Sequence, residues 1–269
     1  MPRPTEREHE MKHAAIATTI AALAAAPALG APAVALVGDR TLVMLDLAKR
    51  VAGEAVEVEG VSRLVGIDVR PGTGALVGVT DEGAILTIDP ATGAATETAR
   101  MDMAPPQDAG PVVIDFNPAA DRLRVMAGTT NLRVNPDTGE VTKDGDLAFE
   151  DGDMHAGDAP AIVAAAYTNS HGKPEATAMY DIDATIVALI RQTAPNDGTL
   201  AAVGKLGIDA PGEAYAFDIQ TTAEMQNTAW LVNGGMVYWI DLETGAAMDG
   251  APIEGLTEEV RDVAVLPPM

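Results

Sequence analysis

The 269-residue chain sets 40 Asp and Glu against 17 Lys and Arg, a formal charge of −23. Such an excess of acid excludes nucleic acid as a partner, because phosphate binding needs clustered basic residues, and it excludes anionic membrane surfaces. At 47 % hydrophobic the chain can bury a core, but 3 % aromatics leave little for stacking platforms. The absence of cysteine removes disulfides, thiolate catalysis and thiolate metal centres.

The N-terminus reads as an address. Lys12 and His13 follow an internal Met11, an Ala-rich apolar run covers 14–29, and Ala31-Pro32-Ala33 has the small-x-small pattern of a cleavage site. Thr18, Thr19 and Pro27 interrupt the run, which falls short of the roughly 20 apolar residues of a membrane span. The expectation is a signal peptide over residues 1–33, with Met11 as an alternative start. A single exported domain over 34–269, periplasmic or secreted and not inserted in a membrane, would follow.

From residue 34 onward short alternating stretches are separated by Gly, Pro, Asp and Asn, and no segment sustains a helical period, so the chain is all-β. A motif recurs as Val65–Pro71, Val113–Pro118, Tyr215–Gln220 and, without the aligned acid, Val263–Pro267; Ala164–Thr168 fits more loosely. Aligning Asp68, Asp115, Ala166, Asp218 and Ala264 gives intervals of 47, 51, 52 and 46 residues. A second marker, a strand ending in Asp or Asn and a turn closing on Gly, appears at Asp89–Gly93, Asn135–Gly139 and Asp241–Gly245. Four strands per repeat predict a β-propeller of five four-stranded blades. The last blade would be closed by both chain ends, Arg261–Leu266 joining Val34–Val37, Thr41–Leu45 and Ala55–Glu59. A β-sandwich is the rival, but it requires no repeat in step.

Asp115–Val125 and Asn131–Gly139 are specific motifs. With Gly66-Ile67-Asp68, Ala165–Asn169 and Pro195–Leu200, they make the chain resemble the bacterial domain-of-unknown-function 4394 family across nearly the whole mature region. The resemblance implies an exported, propeller-like protein and brings no settled activity. Ile114 stands where an aromatic is frequent in that family, a core exchange of little consequence.

Asp68, Asp115 and Asp218 hold equivalent places on the inner strands. They are candidates for acid and base or nucleophile roles, or else caps and inter-blade pairs. In the first of these strands, alternation assigns Val65, Ile67 and Val69 to one face and Gly66, Asp68 and Arg70 to the other. Arg122, Arg124 and Arg133, with Asn135, are candidates to grip an anionic ligand; the competing reading pairs the arginines with Asp115, Asp121 or Asp137. Asp144, Asp146, Asp151 and Asp153 make an oxygen-rich loop in which calcium is the one cofactor the sequence admits, against a plain solvated loop. Ser62 and Ser170 sit in no nucleophile elbow, and no dinucleotide or P-loop fingerprint occurs. The leading expectation is a monomeric, non-enzymatic module that binds a small molecule or an extracellular protein. The alternatives are a hydrolase or lyase using the channel acids and a calcium-stabilised structural protein.

Overall fold

A computed structural model describes Met1 and residues 30–267; residues 2–29, which hold most of the expected leader, lie outside it. The first strands are β1 (Pro32–Val37), β2 (Thr41–Asp46) and β3 (Val51–Glu57). Blade one follows with β4 (Leu64–Arg70), β5 (Ala75–Thr80), β6 (Ala84–Ile88) and β7 (Ala95–Arg100). Blade two comprises β8 (Val113–Asn117), β9 (Arg122–Ala127), β10 (Thr130–Val134) and β11 (Val141–Lys143). Blade three holds β12 (Ala148–Phe149), β13 (Ile162–Tyr167), β14 (Met179–Asp183), β15 (Ala188–Ala194) and β16 (Thr199–Lys205). Blade four is β17 (Tyr215–Thr221), β18 (Asn227–Asn233), β19 (Met236–Ile240) and β20 (Ala247–Pro252). The last strand, β21 (Val260–Val265), pairs antiparallel with β1, so blade five has the order β21-β1-β2-β3 and the two ends of the chain close the ring. Among the described residues the only helix is a short 3-10 turn, Gln107–Ala109. This is the five-bladed propeller that the repeat predicts.

Blade three departs from the four-strand rule. The segment leaving blade two lays Ala148 and Phe149 parallel against β16 before it turns inward. That short strand covers an outer edge that would otherwise be open to pairing, and Phe149 seals the apolar layer beneath it.

The core is not one centre but five layers, one between each pair of neighbouring blades. Val34, Leu36 and Leu42 pack on Ile67, Leu76 and Ile88 between blades five and one, and Val77, Ile85, Phe116 and Val125 fill the next layer. With few aromatics the layers are built from β-branched and Leu side chains, which suit a pleated, two-sided surface. β4 also corrects the simple alternation. Its register shifts between Leu64 and Gly66, and Val65 joins the blade-two layer while Ile67 and Val69 face blade five. A bulge of this kind adds one residue and reverses the facing.

The second marker is a side-chain-capped turn between the third and fourth strands. Asp89, Asn135 and Asp241 accept the amides two residues on at 2.9, 3.0 and 2.8 Å, while Gly93, Gly139 and Gly245 close the turn with φ of 77°, 76° and 79°. Asx side chains and left-handed glycines are the residues such turns demand. Pro32 and Ala33, expected at the end of the leader, lie in β1, and the carbonyl of Ala31 accepts the amide of Leu47 at 2.9 Å.

Candidate functional site

The inner strands β4, β8, β13, β17 and β21 stand side by side in that order around the axis, β21 returning to β4. Their equivalent acids converge. One carboxylate oxygen from each of Asp68, Asp115 and Asp218 lies within 4.8 Å of the others, and all three residues are buried. The backbone aims them. Asp68 takes the amide of Val69 on one oxygen and that of Phe116, in blade two, on the other, both at 2.6 Å. Asp115 accepts the amide of Tyr167 in blade three at 3.0 Å. Asp218 takes Ile219 at 2.6 Å and Val265 of β21 at 2.5 Å. Each acid therefore stitches its blade to the next while its carboxylate faces the axis; the partners are amides, not arginines.

A fourth acid belongs to this ring. Asp262 of β21 accepts its own neighbour Val263 at 2.9 Å and Ile67 of blade one at 2.8 Å. The repeat sets Ala264 at the position equivalent to Asp68, and the acid stands two residues earlier, on the same face of the strand; that shared parity is the one signal of it in the sequence. Gly66 makes room for it, because a Cβ there would meet Ile114 Cγ1 at 2.8 Å and Asp262 Oδ2 at 2.9 Å. Burial raises the pKa of all four acids: Asp262 to about 7 and Asp218 to about 6. Asp68 and Asp115 also lie well above the usual carboxylate range, through burial and then the neighbouring channel acids.

Cavities sit at both mouths of the axis. At the C-terminal ends of the inner strands a cavity of about 210 Å³ has Asp68 and Asp218 in its wall, with Gln220, Ser170, His171 and Pro267 around them. The N-terminal mouth holds a larger one, about 360 Å³. Its wall takes one residue from each blade at the same repeat position: Val65, Val112, Val163, Tyr215 and Arg261. Three of these are residues skipped by a register shift, Val65 in β4, Val163 in β13 and Arg261 in β21. Bulges at barrel and propeller rims re-aim side chains in this way. Arg63, Glu213 and Glu259 line the same cavity. Arg261 donates to the carbonyls of Gly38 at 2.6 Å and Leu64 at 2.9 Å, and burial, then the charge of Arg63, lowers its pKa.

The remaining candidates are drawn into the scaffold. Arg124, 2 % exposed, bonds Asn131 at 2.8 Å, Asp144 at 2.7 Å and Asn196 at 3.0 Å, and Arg133 reaches the other oxygen of Asp144 at 3.1 Å. Their acid is thus Asp144, while Asp121 and Asp137 both pair with Arg70 of blade one, at 2.6 and 2.7 Å. Arg122 donates to the carbonyl of Asp121, and Asn135 serves its turn. In the acidic loop Asp144 is spent on arginines and Asp146 pairs with Lys143. Asp153 accepts the amides of His155 and Ala202, and Asp151 is exposed. Among the described residues Asp68, Asp115 and Asp218 are the one group of three acids or histidines within reach of a common ion. Ser170 Oγ donates to the Tyr167 carbonyl at 3.0 Å.

These features define a five-bladed propeller with an acid ring at mid-channel and a cavity at each mouth. The chain belongs to the family described as a domain of unknown function, DUF4394, which matches residues 41–264. Among curated proteins none matches it. Several solved structures resemble it at low identity. A Bacteroides thetaiotaomicron VPI-5482 protein of unknown function is 14 % identical with a TM-score of 0.49, covering 86 % of this chain and 63 % of its own. An auxiliary nutrient binding protein from the same organism is 12 % identical at 0.49, covering 87 % and 59 %. Regucalcin from Agrobacterium tumefaciens str. C58, a calcium-binding protein, is 16 % identical at 0.44, covering 89 % and 79 %. This chain spans about three fifths of the length of the two Bacteroides proteins. No helix among the described residues is long and apolar enough to cross a membrane.

Proposed function

We propose that the protein is an exported binding module whose ligand, a small molecule carrying a carboxylate, sits in the N-terminal mouth of the channel. The observation that carries this reading is the ring of Val65, Val112, Val163, Tyr215 and Arg261, one residue per blade, walling a cavity of about 360 Å³. That volume falls in the range of small-molecule sites, which combine apolar walls with a few placed polar groups. Three valines and a tyrosine ring supply the apolar surface. Arg261 keeps donors beyond its two carbonyl bonds, and Arg63 is held only loosely, 3.8 Å from Asp39. Two guanidiniums at one mouth favour an anion, and a planar carboxylate fits their fork. Glu213 and Glu259 on the same rim favour a ligand that also carries an amine or hydroxyls.

Export rests on the N-terminal pattern, Lys12 and His13 followed by the Ala-rich apolar run over 14–29. The channel acids lend the hydrolase reading little. All three are buried and bonded to backbone amides of their own or the next blade, so none stands open to a substrate.

The reading is tested by calorimetric titration with a panel of amino acids, sugar acids, dicarboxylates and uncharged sugars. Binding confined to carboxylates, weakened about tenfold by Arg63→Gln, is the expected result. Uniform silence across the panel, or equal binding of neutral sugars, would remove the carboxylate assignment.

A further inference from the structure

The geometry points to a divalent-cation site at mid-channel, formed by Asp68, Asp115 and Asp218 with the side-chain oxygen of Gln220, and calcium is the ion it fits. Oxygen ligands bind calcium at 2.3–2.6 Å, so two of them on opposite sides of one ion stand about 4.6–5.2 Å apart. The three carboxylate oxygens fall within 4.8 Å of one another, inside that limit. Magnesium, at 2.0–2.1 Å and strictly octahedral, demands a tighter and more regular cage.

Gln220 is the independent observation. It is 9 % exposed, and its carboxamide has no hydrogen-bond partner among the described residues. It lies two residues beyond Asp218 on β17, on the same face, and lines the same cavity as Asp68 and Asp218. The carboxamide is held by no other described side chain or backbone group and meets only the cavity, so its oxygen is available, and a neutral carbonyl oxygen is a ligand calcium accepts. The carboxylates are also held as ligands need to be held. Cross-blade amides fix the carboxylates of Asp68 and Asp218. Asp115 uses only Oδ1 for its amide bond, which leaves Oδ2 free to ligate. No arginine or lysine pairs with any of the three, so three buried acids face one another without a counter-charge. The C-terminal cavity of about 210 Å³ provides the route in and room for water to complete the shell.

The site is independent of the carboxylate pocket at the other mouth, and its test leaves that reading untouched. The full chain is melted at pH 7.5 in chelator and again in millimolar calcium chloride, and calcium is titrated calorimetrically. One ion per chain and a rise in Tm of about 5–10 °C at hundredfold saturation are expected. Asp115→Asn keeps the acceptor for Tyr167 and removes one charge. It should abolish the calcium response while raising the Tm in chelator. Gln220→Ala, which leaves every acid in place, should weaken calcium about tenfold and serves if the first variant fails to fold. Asp151→Asn in the acidic loop should change nothing. The proposal is overturned by a missing calcium response. It is equally overturned if Asp115→Asn or Gln220→Ala keeps full affinity, or if Asp151→Asn removes the response.

Discussion

Single residues in this ring are constrained from more than one side. Gly139 combines a φ of 76° with an approach to the backbone of Arg100 so close that any Cβ would strike its carbonyl, and its own carbonyl accepts the amide of Asp102 at 3.0 Å. Gly139→Ala therefore meets backbone strain and a clash together. A loss of about 2 kcal/mol or more is expected in denaturant unfolding, larger than for an exposed turn glycine. Asp181 shows the other kind of constraint. It is fully buried in blade three, where burial raises its pKa to about 7 against the hydrogen bonds of Gln192. The Nε2 of Gln192 reaches both oxygens of Asp181, at 3.1 and 2.9 Å, while its Oε1 is buried without a partner. Between about pH 4 and 7 the native state then holds a proton that the unfolded chain has lost. Stability falls as pH rises through that window, by up to about 1.4 kcal/mol per unit, and levels off above it. In Asp181→Asn the amide donates and accepts at once. That variant should flatten the slope and melt higher than the parent at pH 8.

At the scale of strands and blades, the repeat was open to reading because each blade solves the same problem with the same residues. Asp68, Asp115 and Asp218 recur in step since each must reach an amide in the next blade. The Asx-to-Gly turn recurs because that reversal admits few alternatives. What escaped reading lies where a blade departs from its siblings. In blade five the same turn runs from Asp46 to Arg50, but Arg50 takes the left-handed place, with φ 62°, that Gly fills elsewhere. The strand β12 has two residues, too few for any period to show. The register shifts in β4, β13 and β21 are invisible to alternation, and they build the wall of the larger cavity. Gln220 carries no signal in the sequence, because its interest is a missing partner, a property of packing and not of spacing. Spacing offers Arg124 and Arg133 the acids Asp115, Asp121 and Asp137; their partner is Asp144, which lies beyond their strands and which only the fold brings to them.

For the whole molecule, ring closure and charge dominate. Removing residues 260–269 takes away the inner strand of blade five, exposes the edge of β1 and deprives Asp218 of its bond to Val265. A chain ending at Glu259 should lose cooperative unfolding, with a broad thermal transition and dye-accessible apolar surface in place of a sharp melt. The charge of −23 is spread over a surface with few cations to offset it. Raising sodium chloride from 0.01 to 1 M shortens the screening length from about 30 to 3 Å. Relief of self-repulsion should then raise the Tm by roughly 2–4 °C for each kcal/mol removed. A Tm that falls with salt would show surface ion pairs outweighing repulsion.

One junction of the ring is made differently from the rest. Buried carboxylates stitch blade one to two, two to three, four to five and five to one. Between blades three and four, Ala166 leaves that place empty of acid. The contact is carried instead by Ser170 N to Thr221 Oγ1 at 2.9 Å and by Asn169 with Asn227, nearer the solvent. A split ring under load parts at its gap. In native-state hydrogen exchange the amides of Asn169 and Ser170 should open in small, frequent excursions, whereas those of Phe116 and Val265 should exchange only when the whole ring comes apart.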